Sequence, residues 1–196
     1  MDSQAAALRQ LLDDLAAFGR RNDAHQAERP RRMLNITPDT GQLLAILIRA
    51  TRARRILEIG TSNGYSTLWL AWAASDTDGQ VETIEANADK VAMARANFER
   101  AGLSQRITLQ HGTALEILGG LAGPYDLIFL DADRPSYLAY YEHLLRLLRP
   151  GGLLDTDNVV SHAHELVEFL GRLRSDPRLE SVTLPVGNGQ ELTYRR

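Results

Sequence analysis

The chain has 196 residues, a formal net charge of −3 and no cysteine, with 44% hydrophobic and 24% charged residues. This length suits one domain with a sizeable core, and the composition is that of an ordinary globular protein. The net charge excludes an overall basic field that would recruit nucleic acid, and the lack of cysteine excludes disulfides and thiolate metal sites.

The first residues are polar, and no basic segment followed by an apolar run is present near Met1. Such a start lacks the features of a secretory signal peptide. No stretch is apolar and long enough to span a bilayer. We therefore expect a soluble, cytoplasmic protein without a membrane partner.

The N-terminal quarter of the sequence predicts two helices separated by a loop. Apolar side chains at helical spacing predict an amphipathic helix over residues 5–18. Residues 20–34 are polar and rich in arginine, which is typical of a loop. Thr37, Pro38 and Asp39 then match an N-cap, a proline in the first turn and an early acid, so a second helix is expected to begin there.

The rest of the chain alternates between strand and helix patterns. Strands are predicted near 55–59, 81–85, 106–110, 126–131 and 152–156, and helices near 65–75, 88–101, 136–148 and 162–174. Gly187-Asn188-Gly189 separates two strand-like runs within 180–194, which predicts a hairpin. Repeated strand–helix units indicate an α/β fold with a doubly wound sheet, whose ligands bind at the carboxyl ends of the strands.

The most informative segment is the strand and loop at 56–66, where Glu58 precedes a loop with glycines at Gly60 and Gly64. A dinucleotide-binding loop has glycine where this chain has Glu58, because bare backbone must approach the pyrophosphate. A carboxylate at that position would repel phosphate and attract an amine. The predicted ligand is an amino-acid-bearing nucleoside, a description that S-adenosylmethionine fits.

Glu85 ends the next predicted strand, one strand–helix unit after the glycine loop. An acid at this position can accept hydrogen bonds from both hydroxyls of a ribose. The alternative is a solvated acid that caps the following helix.

Acidic residues also end the two later strands, at Asp131-Ala132-Asp133 and at Asp155-Thr156-Asp157-Asn158. If these strands are neighbours, their carboxylates and the amide converge at one edge of the sheet. Oxygen ligands suit a hard cation such as Mg²⁺. The alternative is that acids simply crowd strand ends in α/β proteins.

In combination these motifs resemble the cation-dependent class I O-methyltransferases, the group that includes catechol and caffeoyl-CoA O-methyltransferases and bacterial relatives. The resemblance runs from about Met33 to the C-terminal hairpin.

The resemblance implies a Rossmann-like, doubly wound, seven-stranded and mostly parallel sheet with a C-terminal antiparallel hairpin and N-terminal helices. It also implies one methyltransferase domain over 1–196, with 1–51 as helices and cofactor lid and 52–196 as the α/β core. The motifs that carry it are Leu57-Glu58-Ile59-Gly60 with Gly64-Tyr65-Ser66, Glu85, Asp131-Ala132-Asp133, Tyr140-Tyr141-Glu142, Pro150-Gly151-Gly152, Asp157-Asn158, and Leu184-Pro185-Val186-Gly187 with Gly189.

The resemblance implies a role for each matching residue. The cofactor is S-adenosylmethionine, with Mg²⁺, Ca²⁺ or Mn²⁺ as the metal. Asp131, Asp157 and Asn158 would bind the metal, and Asp131 would also take part in catalysis. The residues implied to bind the cofactor are Met33, Asn35 and Ile36 in the lid; Glu58, Gly60, Ser62 and Ser66 at the methionine moiety; Glu85 at the ribose; Ala114, on the Gly112-Thr113-Ala114 turn, at the adenine; and also Ala86, Gly112, Thr113, Asp131 and Asp133.

Arg134 departs from the family pattern, which usually has a lysine at this position, often treated as the general base. Arginine stays protonated in proteins and cannot serve as a base. Arg134 would instead stabilise a phenolate or hold an anionic acceptor, or it would only pair with neighbouring acids.

The segment after Asn158 also departs from the pattern, because it lacks the family's aromatic residue and long glycine-containing loop and runs directly towards a helix. This change places His162 just beyond the metal pair. A histidine titrates near neutrality and is a candidate for the base that Arg134 cannot be. The alternative is a surface histidine in the first turn of the helix.

Three functions are weighed on this basis. The first is an O-methyltransferase acting on a small catechol-like or vicinal-diol acceptor, expected to be a homodimer with its N-terminal helices at the interface. The second is a tRNA hydroxyuridine O-methyltransferase, with the arginines at 29–32 and 52–55 contacting phosphate. The third is a non-catalytic protein that binds S-adenosylmethionine.

Overall fold

The computed structural model describes residues 2–196, which form a seven-stranded sheet in the order β3-β2-β1-β4-β5-β7-β6. Its strands are β1 (Arg55–Ile59), β2 (Gln80–Glu85), β3 (Ile107–His111), β4 (Tyr125–Leu130), β5 (Leu148–Thr156), β6 (Leu179–Leu184) and β7 (Gln190–Arg195). Its helices are α1 (Asp2–His25), α2 (Pro38–Thr51), α3 (Tyr65–Ser75), α4 (Ala88–Ala101), α5 (Ala114–Gly120), α6 (Tyr137–Leu147) and α7 (Val167–Ser175). The predicted fold class is confirmed, including the antiparallel hairpin of β6 and β7.

The strand order places β1 and β4 side by side at the point where the chain reverses direction across the sheet. Strands β1 to β5 are parallel to one another, β7 is antiparallel to β5, and helices cover both faces. One apolar core includes α1, α2 and α3 on one face, and a second includes α6 and α7 on the other. The carboxyl ends of β1, β4 and β5 therefore lie together, as a ligand site of this architecture requires.

Most predicted elements lie within one to three residues of the observed ones, but the region before α7 differs. The predicted helix at 162–174 begins only at Val167, and a 3-10 turn covers Ala163–Glu165. The backbone N–H groups of Val159, Val160 and Ser161 donate to carbonyls of the hairpin loop at Asn188 and Gly189. These bonds hold 159–161 as an irregular segment, so the helix cannot begin earlier.

Two other differences concern helix α5, which the sequence pattern missed, and helix α1, which is longer than predicted. Helix α5 has only seven residues and ends in two glycines, so it carries little periodic signal. Helix α1 continues to His25, through residues whose polar composition predicts a loop. Among residues 2–196, no helix is long and apolar enough to cross a membrane.

Candidate functional site

A cavity of about 570 Å³ lies at the carboxyl ends of β1, β2 and β4. Its walls come from the loops that follow these strands, from the segment before α2 and from the residues after β5. This volume lies within the usual range for small-molecule sites. The strand order thus brings the glycine loop and the acidic strand ends to one chamber.

The glycine loop after β1 approaches the neighbouring strand end closely. Gly60 has a φ of 104°, a region that favours glycine, and a β-carbon there would overlap the carbonyl oxygen of Asp131. Ser62 also has a positive φ, and its backbone N–H donates to Oε2 of Glu85 at 2.7 Å. The loop therefore lies against the backbone of Asp131 on one side and is hydrogen-bonded to the side chain of Glu85 on the other.

Glu58 lies beneath this loop, completely buried, and does not line the cavity. The hydroxyl groups of Thr67 and Thr83 donate to its Oε2, the latter at 2.6 Å. Its Oε1 has no hydrogen-bond partner within the part of the chain that the structure describes. Burial raises the pKa of Glu58 to about 7, against the opposing effect of these hydroxyl groups.

Glu85 lies at the cavity wall with both carboxylate oxygens oriented by the backbone. Oε2 accepts from Ser62 at 2.7 Å, and Oε1 accepts from the N–H of Asn87 at 2.9 Å. Each oxygen retains a free lone pair for a further donor. This arrangement suits a pair of ligand hydroxyls, as predicted for a ribose.

The segment before α2 covers the cavity and is attached at two points. The carboxylate of Asp23 accepts from the backbone N–H groups of Met33 at 2.6 Å and Leu34 at 2.9 Å. On the other side, Oγ of Ser62 donates to the carbonyl of Met33 at 2.6 Å. The predicted lid is thus joined to α1 and to the glycine loop at the same time.

Asp131 and Asp157 converge on the side chain of Asn158. Nδ2 of Asn158 donates to Oδ1 of Asp131 at 2.9 Å and to Oδ2 of Asp157 at 3.0 Å, so the two carboxylates face one common point. Burial, Asp157 and Glu58 raise the pKa of Asp131 well above its usual range. Burial also raises the pKa of Asp157. The two acids therefore repel each other unless positive charge lies between them.

This donor set fits a hard divalent cation. It offers two carboxylates and the amide oxygen of Asn158, which becomes available when the amide rotates. Among residues 2–196, no group of three or more His, Cys, Asp or Glu side chains is arranged to hold a metal ion, so the third ligand of this set is the amide of Asn158. Asp155 is buried nearby, and both of its oxygens are without a partner among the described residues.

Arg134 and His162 lie on the wall of the same cavity. Arg134 is only 6% exposed and forms a two-point pair with Glu165, so the ion pair considered from the sequence is present. Nδ1 of His162 lies 2.8 Å from Oγ of Ser161. Partial burial and the charge of Arg134 lower the pKa of His162 below its usual value, which keeps the ring neutral at pH 7.

The cavity brings together most of the predicted site residues, whereas four of them lie elsewhere. Glu58 and Asp157 are buried behind the wall, and Gly112 and Thr113 precede α5 without lining the cavity. The predicted residues that do line it are Met33, Asn35, Ile36, Gly60, Ser62, Ser66, Glu85, Ala86, Ala114, Asp131, Asp133, Arg134, Asn158 and His162.

The cavity wall also includes polar residues to which the sequence analysis assigns no site role, among them Asp23, Lys90 and Tyr140. Lys90 is the single lysine of the chain and lies in the first turn of α4, directly after the predicted ribose acid. Burial lowers its pKa, although Glu85, Asp23 and Asp131 oppose that shift. Lys90 is the one lysine among 22 lysine and arginine residues, and this was the sequence feature that could have singled it out.

Comparison with known families identifies one match over nearly the whole chain. The sequence profile of a family described as O-methyltransferase matches residues 3–196.

Similar proteins carry catechol and caffeoyl-CoA O-methyltransferase names. A catechol O-methyltransferase from Niastella koreensis is 38% identical over 160 residues, covering 80% of this chain and 71% of the relative. One from Mycobacterium tuberculosis is 41% identical over 155 residues, covering 79% and 68%. Caffeoyl-CoA O-methyltransferase 2 from Petunia hybrida is 32% identical over 222 residues, covering 98% and 91%.

Solved structures agree with this match. An O-methyltransferase from Bacillus cereus in complex with SAH is 32% identical with a TM-score of 0.80, covering 97% of this chain and 91% of the other. The O-methyltransferase TomG from Streptomyces achromogenes in complex with SAM is 29% identical with a TM-score of 0.79, covering 96% and 89%.

Proposed function

The chain belongs to the O-methyltransferase family and is an S-adenosylmethionine-dependent O-methyltransferase, and from this premise we propose that it uses a divalent cation to methylate a small catechol-like or vicinal-diol acceptor. The observation that carries the proposal is the convergence of Asp131 and Asp157 on Asn158 at the cofactor cavity. The names of the relatives from Niastella koreensis and Mycobacterium tuberculosis support a catechol-like acceptor.

In this proposal Asp131, Asp157 and Asn158 hold the cation, which we take to be Mg²⁺, Mn²⁺ or Ca²⁺. A divalent cation between them would supply positive charge that lowers the pKa of an acceptor hydroxyl. The raised pKa values of both aspartates support this role, because a cation would relieve their repulsion.

The side chains of the cavity would orient the cofactor. Glu85 would accept the ribose hydroxyls, and the lid at Met33 would exclude water from the reacting atoms. The transfer cancels a sulfonium charge against an oxyanion, so a dry chamber favours it. Holding acceptor and methyl group in line contributes much of the remaining rate enhancement.

We assign the proton transfer to His162 and charge stabilisation to Arg134. Bound in the cavity, the cofactor would supply its methyl group to the acceptor oxygen, and Nε2 of His162 would take the hydroxyl proton. Its Nδ1 is held by Ser161, which supports a fixed ring orientation. Arg134 cannot accept the proton, but its guanidinium would stabilise the developing phenolate.

The position of Arg54 and Arg55 argues against the tRNA hydroxyuridine alternative, although Arg29 does line the cavity. Arg54 and Arg55 lie at the start of β1, at the opposite end of the sheet from the cavity. Arg54 pairs with Asp78 at 3.1 Å, and the guanidinium of Arg55 lies 4.9 Å from the ring centre of Tyr125. A continuous basic surface leading to the cavity is therefore not formed by these residues.

The chain belongs to a family whose named members are enzymes, and this removes the support for a non-catalytic protein.

The proposal is tested by methyl transfer from labelled S-adenosylmethionine to a panel of catechols, hydroxycinnamoyl thioesters, monophenols and bulk tRNA, each with Mg²⁺ or with EDTA. We expect Mg²⁺-dependent transfer to catechols and none to monophenols or tRNA. The homodimer suggested by the family resemblance stays a prediction that sedimentation velocity would test.

A further inference from the structure

Gln190, the first residue of β7, is completely buried and bonded to one of the proposed metal ligands. Its Nε2 donates to Oδ1 of Asp157, and to Oγ1 of Thr40 at 3.2 Å. Its Oε1 has no partner among the residues that the structure describes. Leaving a buried amide oxygen unsatisfied costs about 1–3 kcal/mol, so an apolar residue would be the more stable choice for packing alone.

The antiparallel register places Gln190 opposite Asp157. Thr156 pairs with Glu191, so the next residue along each strand faces the other. The loop before Gln190 is closed against the segment after Asn158, since Val159 donates to the carbonyl of Gly189 at 3.0 Å. Sheet pairing and loop closure together fix where the amide points.

The two oxygens of Asp157 have different partners. Oδ1 accepts from Gln190, whereas Oδ2 faces Asn158 and, through it, Asp131. A carboxylate held by one oxygen presents the other in a defined direction. Groups that hold a metal ligand in this way affect metal affinity about 10- to 100-fold in other proteins.

We propose that Gln190 is a positioning residue that holds Asp157 with Oδ2 directed at the cation site. This inference rests on the proposed function, because it assumes that Asp157 binds a divalent cation. Thr40 extends the connection, since its Oγ1 lies 3.2 Å from Oγ1 of Thr37, the N-cap of α2. The cation site is thereby joined to the helix that follows the cofactor lid.

The test measures Mn²⁺ binding to the full chain with saturating SAH, by electron paramagnetic resonance of free Mn²⁺. Gln190→Met keeps the length of the side chain but cannot donate, and we expect it to weaken Mn²⁺ binding about tenfold or more. Gln190→Asn keeps the amide but is one methylene too short to reach Asp157, and we expect a loss in the same direction. Affinity for SAH alone and the thermal unfolding midpoint are expected to stay close to those of the parent.

Thr193 lies on the same strand as Gln190, and Thr193→Val is the matched control, because it removes a hydrogen bond of 2.9 Å to Ser181 of β6 and does not touch Asp157. It should leave Mn²⁺ affinity unchanged. Unchanged Mn²⁺ affinity in both Gln190 variants would overturn the positioning role, as would equal losses of Mn²⁺ affinity, SAH affinity and thermal stability.

Asp157→Ala separates the two levels of the argument. If it abolishes Mn²⁺ binding while the Gln190 variants bind normally, only the positioning role is wrong. If it binds Mn²⁺ like the parent, the cation site itself is wrong and the role of Gln190 is overturned with it.

Discussion

Arg134 and Glu165 form a two-point ion pair at the wall of the cavity: Nε lies 2.9 Å from Oε2, and Nη2 lies 3.3 Å from Oε1. The guanidinium lowers the pKa of Glu165, so the acid is ionised at neutral pH. The carboxylate of Glu165 therefore offsets part of the guanidinium charge that an anionic acceptor would meet.

Glu165→Gln should therefore improve binding of an anionic acceptor, because it leaves the charge of Arg134 uncompensated. We expect the KM for 3,4-dihydroxybenzoate to fall about threefold, the size of effect that a partly exposed ion pair produces. The KM for uncharged catechol is the control and should not change. Adding Arg134→Met should remove the difference between the two acceptors, and an equal response of both would contradict this role.

Asp157→Ala should abolish metal-stimulated methyl transfer while leaving the affinity for SAH within about twofold. The physical reason is that Asp157 belongs to the carboxylate pair but lies behind the cavity wall. Steady-state rates with a Mg²⁺ titration and calorimetric titration of SAH measure the two effects. If the parent enzyme is equally active in EDTA, the metal assignment is wrong.

The pH profile of kcat/KM should show the ionisation of His162. Partial burial and Arg134 lower its pKa, so the neutral ring persists to below pH 6.5, and activity is lost only as the pH falls through that lowered value. His162→Gln should lower the rate and flatten this acidic limb. Rates measured from pH 5 to 8 decide the point, since parallel profiles for the two proteins would remove His162 from the mechanism.

Asp23→Asn should weaken cofactor binding about five- to tenfold. An amide supplies one acceptor oxygen where the carboxylate supplies two, so one of the bonds to Met33 and Leu34 is lost, at a cost of about 1 kcal/mol or more. Asp14→Asn, on the same helix and bonded only to Gln10 at 3.0 Å, is the control. Equal SAH affinities for both variants, by fluorescence or calorimetric titration, would show that the Asp23 contact does not order the lid.

Glu58 should make the cofactor-free protein less stable as the pH rises. Its pKa increases from 4.5 to about 7 on folding, so the folded state binds the proton more tightly. The stability that this proton contributes is present below pH 4.5 and is lost as the pH rises through about 7.

Glu58→Gln mimics the protonated form and should escape this loss, which amounts to about 2.5 kcal/mol of unfolding free energy between pH 5 and 8. Urea unfolding of both proteins at several pH values measures the difference. A constant difference across this range would show that Glu58 is ionised throughout.

Local patterns predicted the fold class because strand and helix periods are properties of neighbouring residues. The alternation from Arg55 onward indicated a parallel sheet, and Thr37-Pro38-Asp39 located the start of α2. The patterns were weaker where other parts of the chain determine the backbone. The predicted start of α7 was wrong because residues 159–161 form hydrogen bonds to a hairpin loop almost thirty positions away.

The candidate site also has parts that local sequence patterns predict and parts that only long-range packing determines. From the residues alone came the glycine loop, Glu85 and the acidic ends of β4 and β5, because strand ends on a parallel sheet must meet at one edge. The sequence could not indicate that Glu58 lies beneath the cavity wall, since its depth depends on how α3 packs over the loop.

The sequence by itself determined the architecture, the cofactor class and the set of acids available to a cation. Only the tertiary structure decided which partner each charged group takes: Arg134 with Glu165, Asp157 with Gln190 and Asp23 with the lid. These pairings join residues 10 to 33 positions apart. Their geometry follows from the packing of whole strands and helices, which no local periodicity encodes.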